Sequence, residues 1–287
     1  MFGTDDDVGR EVLVGVDGST TSARAVERAV HEAAGRGASL HVVHVAPGPG
    51  DGEHGACVLD SAADRAARVD PHVRVRTTLR AGSPVGVLLG AARAAEVVVV
   101  GSRRVGTGAA ATCGSVAMRL AAASPAPVVV VPPVEARRRT TDVVVGVDGS
   151  ADADAALHFA FEEARETGGR VVAVCAWRQT PDAGRDDPAD RLAVAGRARD
   201  DAARTVRAAV DRVRAVVHDG VDVAALVVGR RPEQVLRDLG RGAALTVVGA
   251  HGSADVPGTL LGPVVQDVLR RAAGPVAVVR AAAASAA

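Results

Sequence analysis

Two carboxylates stand at equivalent places in this chain, each followed by a glycine and a serine. Asp17-Gly18-Ser19 closes the apolar run Val12-Leu13-Val14-Gly15-Val16, and Asp148-Gly149-Ser150 closes Val143-Val144-Val145-Gly146-Val147. A carboxylate at a strand end can accept hydrogen bonds from a hydroxyl or amino group, and a serine there can cap a helix. A second pair of signals follows in the same order. Val97 to Val100 runs into Gly101-Ser102-Arg103-Arg104, with Gly106 further on and Gly114-Ser115 at the end of the loop. Leu245 to Val248 runs into Gly249-Ala250-His251-Gly252, and that loop ends at Gly262-Pro263. Glycines let a loop adopt positive φ and let backbone N–H groups approach an anion. A helix N-terminus then adds unsatisfied donors and partial positive charge. Together these are the elements of a phosphate cradle. The pattern is not a Walker sequence, because no Gly-Lys-Ser/Thr follows. A dinucleotide GxGxxG is also a poor fit, since the glycine loop follows strand four and not strand one.

The elements that position these residues are legible in both halves. In the first, strand one is Glu11 to Val16, and Ser19 caps a helix running to Ala34 with Gly35 and Gly37 as stops. Leu40 to Val45 is strand two, and Pro47 to Gly55 reads as a Gly/Pro-rich loop. A helix over Asp60 to Val69, a strand over Val73 to Leu79 and a helix from Gly82-Ser83-Pro84 to Ala94 follow. Glu96 to Val100 is strand four, a helix follows Ser115, and Val128 to Val131 is strand five. In the second half the strands are Asp142 to Val147, Val171 to Ala176, Val223 to Val228, Leu245 to Val248 and Val276 to Val279. The helices are Ala153 to Glu166, Arg191 to Val217, Pro232 to Leu239 and Val264 to Arg271. Strands alternating with helices imply parallel βαβ units wound right-handedly. Such a sheet binds its ligand at the carboxyl ends of the strands. Asp17, Asp148, Gly101 and Gly249 all fall there. The chain is two copies of one α/β unit.

Composition agrees with that organisation. A length of 287 residues fits two domains of roughly 140. The hydrophobic fraction is 48% but aromatics are only 1%, so the cores are expected to be Val, Leu and Ala. Net charge is zero, and every Lys/Arg position is Arg, read as coding bias and not phosphate recognition. Balanced charge, no basic tract and scarce aromatics argue against nucleic-acid binding. Three cysteines without a CxxC pair point to free thiols in a reducing compartment. The acidic N-terminus is no signal peptide, and no apolar run reaches membrane-spanning length, so a cytoplasmic location is expected.

The chain resembles a tandem universal stress protein, with repeats over residues 8–134 and 141–281. The family's nucleotide-binding members carry Gly-x-x-Gly, nine residues, then Gly-Ser/Thr, plus an Asp after strand one. The resemblance implies two Rossmann-like domains, each with a five-stranded parallel sheet of order 3-2-1-4-5. It also implies pairing of the two copies through their last strands, with a homodimer left open. Asp17 and Asp148 match the Asp that contacts the adenosine. In the first copy Gly101, Gly114 and Ser115 match, but Arg104 replaces the second glycine. In the second, Gly249, Gly252 and Gly262 match, but Pro263 replaces the Ser/Thr.

These departures have physical meaning. A non-glycine at position 104 is strained if positive φ is needed there, although its guanidinium can reach a phosphate and Gly106 still supplies flexibility. Pro263 suits the first turn of a helix but removes an N–H and a hydroxyl from the cradle. Asp255 adds a negative charge to the same loop. The reading is an adenine-nucleotide-binding regulatory protein. ATP or AMP would be held by Asp17 or Asp148, the adenine would lie against Val45 or Ala176, and the phosphates against the glycine loops, with Mg²⁺ accompanying them. No general base, nucleophile or metal constellation stands near the loops, so rapid enzymatic turnover is not expected. The alternative is a ligand-free interaction module that works through domain pairing. Blander readings apply to single residues: Cys113 as a small buried residue, His251 as a pocket-lining or plain loop residue, and the Arg/Asp-rich helix over Arg197 to Arg214 as a solvated face.

Overall fold

The computed structural model describes residues 9–46, 48, 51–103, 113–134, 136, 140–177, 188–217, 220–255 and 259–281. By their contacts the residues form two compact units. One runs to Ser102 and includes Ser124–Val131; the other comprises Arg103–Ala123 and the chain from Pro132 onward.

The first unit contains β1 (Glu11–Val16), α1 (Thr20–Arg36), β2 (Ser39–Ala46), α2 (Gly52–Val69), β3 (Val75–Ala81), α3 (Pro84–Ala91), β4 (Val97–Gly101) and β5 (Val128–Val131). The pairings within it are parallel: β3 with β2, β2 with β1, β1 with β4, and β4 with β5. The order is 3-2-1-4-5, as the family resemblance implies. The second unit holds α4 (Ser115–Ala123), β6 (Val143–Gly146), α5 (Ala151–Thr167), β7 (Val171–Ala176), α6 (Pro188–Val216), β8 (Val223–Val228), α7 (Pro232–Gly240), β9 (Leu245–Gly249), α8 (Pro263–Arg271) and β10 (Val276–Val279). Its pairings, β8 with β7, β7 with β6, β6 with β9 and β9 with β10, are again all parallel and in the same order.

Burial follows from the valine runs. Val12, Leu13 and Val14 of β1, and Val97 to Val100 of β4, are almost wholly excluded from solvent. Each such side chain contributes about 1.5–3 kcal/mol relative to exposure. Helix α1 presents Ala25, Val26, Ala29, Val30 and Ala33 to the sheet, an apolar stripe at helical spacing. The expectation of Val, Leu and Ala cores needs an amendment: Phe161 of α5 is the largest fully buried side chain among the described residues, and Phe159 is buried as well.

Several boundaries differ from the sequence expectation; β3, expected over Val73 to Leu79, runs from Val75 to Ala81. Gly35 does not stop α1; the helix runs on to Arg36 and ends where Gly37 turns left-handed at φ 62. Residues 52–55, expected in a loop, form the first turn of α2. Gly55 is there because space is short: a Cβ at that position would stand 2.6 Å from Leu79 Cδ1 and 3.0 Å from His44 Cδ2. Helix α3 ends at Ala91 and not at Ala94. Helix α6 buries Ala202, Val206, Ala209, Val210 and Val213. Its opposite face is solvated, as expected, and its described ion pairs include Arg204 with Asp201 at i,i+3 and Arg212 with Asp154 of α5.

Candidate functional site

The two strand-end turns have the same construction. Gly18 and Gly149 take φ of 76° and 83°, a conformation that favours glycine. Ser19 and Ser150 share φ −75 and ψ 158, and each Oγ accepts the N–H three residues on, from Ser22 and Ala153. Asp17 Oδ1 accepts the Ser19 N–H at 3.0 Å and its hydroxyl at 2.5 Å. Asp148 Oδ1 accepts the Ser150 N–H at 3.0 Å and its hydroxyl at 2.7 Å. The serine that caps the helix therefore also fixes the carboxylate.

In the second unit the carboxyl ends of β6, β7 and β9 open into a cavity of about 480 Å³. It brings together Asp148, Ala176, Gly249, Gly252 and Gly262, the five residues singled out in that half. Apolar walls come from Val174, Val248 and from Leu236 of α7. Leu236 fits because Gly146 has no side chain; a Cβ there would lie 3.3 Å from it. His251 also lines the cavity. Its Nδ1 lies 3.1 Å from Asp152 Oδ2 and its Nε2 2.9 Å from the Thr259 carbonyl.

Positive φ, one of the two properties expected of these glycines, is not what they supply. Among the described residues the positive-φ glycines are Gly18, Gly37, Gly82, Gly149 and Gly168, and none belongs to the strand-four loops. Space dictates these glycines instead. A Cβ at Gly249 would stand 2.7 Å from the backbone carbon of Asp152, at the first turn of α5. One at Gly101 would stand 2.9 Å from the backbone of Thr21 in α1. A Cβ at Gly252 would meet Asp148 Oδ2 at 2.7 Å, and one at Gly262 would overlap Asp255 Oδ2.

Acidic side chains hold the loop. Asp148 Oδ2 accepts the Ser253 N–H at 2.7 Å, and Asp255 Oδ2 accepts the Gly252 N–H at 2.7 Å. Asp152 accepts the His251 and Ala281 N–H groups at 3.0 and 2.8 Å. Pro263 begins α8, and Gly262 is its N-cap with no side-chain cap bond. Asp152 and Leu236 carried no sequence signal, because their roles arise only when distant segments meet.

In the first unit Asp17 is exposed after β1, Val45 is half-buried in β2, and Gly101 ends β4. Gly114 and Ser115 belong to the segment grouped with the second unit, and Ser115 is the first residue of α4. Arg104 and Gly106 lie outside the described residues.

Comparison with known proteins fixes the family. The model of the universal stress protein family matches twice, over residues 9–132 and 140–280. The chain belongs to the universal stress protein family. A universal stress protein of Mycobacterium tuberculosis is 31% identical over 290 residues, covering 94% of this chain and 96% of its own. One of Mycolicibacterium smegmatis is 32% identical over 292 residues, covering 94% and 96%. Among solved structures, a universal stress protein from Archaeoglobus fulgidus aligns with TM-score 0.60 at 19% identity, covering 96% of this chain and 97% of that one. A functionally unknown protein from Pseudomonas aeruginosa aligns with TM-score 0.66 at 15% identity, covering 95% and 93%. These two likenesses concern the fold. Among the described residues, no helix of this universal stress protein is long and apolar enough to cross a membrane.

Proposed function

We infer that the chain binds an adenine nucleotide, ATP or AMP, as a regulatory protein of the stress response and not as a rapid-turnover enzyme. The observation that carries this reading is the cavity at the carboxyl ends of β6, β7 and β9. Its volume of about 480 Å³ is in the range of small-molecule sites. Its walls of Ala176, Val174 and Leu236 suit a flat apolar base, and Asp148 suits a ribose hydroxyl or an amino group. In the first copy Asp17, Val45, Gly101 and Ser115 would act as counterparts, together with Arg104, Gly106 and Gly114. Any Mg²⁺ would arrive on the phosphates.

The test is calorimetric titration of the intact chain with ATP and AMP, comparing wild type with Asp17→Ala and Asp148→Ala. Losing a hydrogen bond to a charged group costs about 1.5–3 kcal/mol, on the order of ten- to a hundred-fold in affinity. Each substitution is expected to weaken binding of the adenosine moiety in its own copy by that amount, Asp17→Ala read with ATP and Asp148→Ala with AMP and with adenosine as a third titrant, while the circular dichroism spectrum stays unchanged. Unaltered affinity in the double variant would remove both residues from the site. Absence of any nucleotide binding would favour a scaffold that acts through its domains alone.

A further inference from the structure

In the second cavity the place suited to a phosphate holds a side chain of the protein itself. Asp255 Oδ2 takes the Gly252 N–H at 2.7 Å, one of the donors that a phosphate oxygen would use. The same oxygen lies directly against Gly262, so close that a Cβ on that glycine would overlap it. It thereby stands at the mouth of α8, where a helix N-terminus favours an anion. Pro263 has no N–H to offer a second anion there. The Ser253 N–H is also engaged, by Asp148 Oδ2 at 2.7 Å. An incoming phosphate would meet one fixed carboxylate and donors already in use. Val174, Ala176 and Leu236, which also line the cavity, carry no charge.

We propose that Asp255 is a resident anion that sets the ligand class of the second cavity: it takes an uncharged nucleoside and rejects nucleoside triphosphates. The proposal rests on the nucleotide-binding reading above and names which part of that ligand the second copy recognises. Asp148, whose Oδ1 faces Ser150, remains the polar anchor for the ribose or base.

The chain supplies its own reporter. Trp177 is its single tryptophan, there is no tyrosine, and it directly follows Ala176 in the cavity wall. Trp177 emission, excited at 295 nm, reads the second copy in the intact protein, and calorimetry on the same samples counts all sites. Adenosine and ATP are the probes, and wild type, Asp255→Asn and Asp255→Ala are the proteins. Asn keeps an oxygen that can accept the Gly252 N–H, so it removes charge and spares the staple.

In wild type, adenosine is expected to shift Trp177 emission at a concentration at least tenfold below ATP. In Asp255→Asn, ATP affinity at the Trp177 site should rise tenfold or more while adenosine affinity changes less than threefold. Equal affinity for ATP and adenosine in wild type overturns the proposal and leaves the nucleotide reading intact. So does an unchanged ATP affinity in Asp255→Asn. Loss of both ligands in Asp255→Ala with no gain in Asp255→Asn would make Asp255 a loop staple only. If neither probe registers by emission or heat in any of the proteins, the nucleotide reading itself fails and the proposal falls with it.

Discussion

The first and second copies keep one corner and differ at the strands beside it. Asp17-Gly18-Ser19 and Asp148-Gly149-Ser150 share dihedral angles, cap bonds and carboxylate bonds almost atom for atom. One strand away the likeness ends. His44 of β2 and Cys175 of β7 occupy the same register, facing Leu79 and Val227 respectively. His44 Nδ1 takes the Val16 carbonyl as partner at 2.8 Å, and its Nε2 is buried with no partner among the described residues. At the far end of the sheet the first copy carries Glu11, His41, Arg76 and Thr78 in one hydrogen-bonded cluster. The second has Asp142, Val172, Ala224 and Leu226 in those places. A turn built from backbone geometry tolerates little change, because glycine, cap and carboxylate depend on one another. A strand face tolerates a polar or an apolar set, provided each buried polar group finds a partner.

The largest expected contrast is chemical. Burial, and then the charge of Asp148, push the Cys175 thiol up to about 11. A thiol ionising there carries on the order of three hundred times less thiolate at neutral pH than an ordinary one near 8.5. Cys57 is exposed on α2, whereas Cys113 and Cys175 are buried. Titration of the folded protein with a chromogenic disulfide reagent at pH 7.5 should therefore show Cys57 as the fast thiol, with Cys175 reacting only after unfolding. Cys175 reacting as fast as Cys57 would show that the end of β7 is open, and would break the likeness in packing between the two corners.

A second contrast concerns the close approach behind the corner. Gly101→Ala and Gly249→Ala each place a Cβ within 3 Å of backbone in the neighbouring helix, and backbone cannot rotate away. Overpacking of this kind costs about 1–3 kcal/mol. Urea denaturation should show comparable losses in the two variants. Equal losses sharpen the equivalence of the copies. A loss confined to Gly249→Ala would show that α1 can retreat from β4 and that α5 cannot retreat from β9.

How much of this was legible before the structure depended on whether the signal was local. The Asp-Gly-Ser turns could be read because strand end, positive φ and cap are adjacent in sequence. The strand order came from the family resemblance, and the valine runs supplied the strands. The glycine loops are readable as special, but the dihedral reason fails: Gly249, Gly252 and Gly262 answer to the backbone of α5 and to Asp148 and Asp255, not to positive φ. Gly55 misled in the same way, since a glycine that permits close packing has the composition of a loop. Asp255 was visible as a charge in the loop. That its oxygen reaches Gly262, seven residues on, depends on how the loop folds back, and no local pattern encodes that.

The smallest expected effect separates the amino ends of the first strands of the two copies. Burial opposes ionisation of Glu11, but hydrogen bonds from His41 and Arg76, and their charges, outweigh it and hold its carboxyl below the ordinary value. Arg76 reaches Glu11 Oε2 at 2.5 Å, and His41 Nδ1 stands 3.1 Å from Oε1. A carboxyl that ionises more readily when folded stabilises the protein above its unfolded value, near 4.3, and loses that contribution as pH falls through the folded value. The Arg76 side chain is more than half exposed, so the pair belongs with surface bridges worth about 0.2–1 kcal/mol. Glu11→Gln should therefore be slightly less stable than wild type at pH 7. The gap should close once the pH drops below the folded-state value, and it should shrink at high salt. Thermal melts from pH 7 to pH 3 would show it as two curves that converge on the acid side. Curves that stay parallel would mean that the Glu11 cluster contributes packing alone, and that its four polar side chains stabilise the first copy no more than the set around Asp142, which pairs with Arg170, does the second.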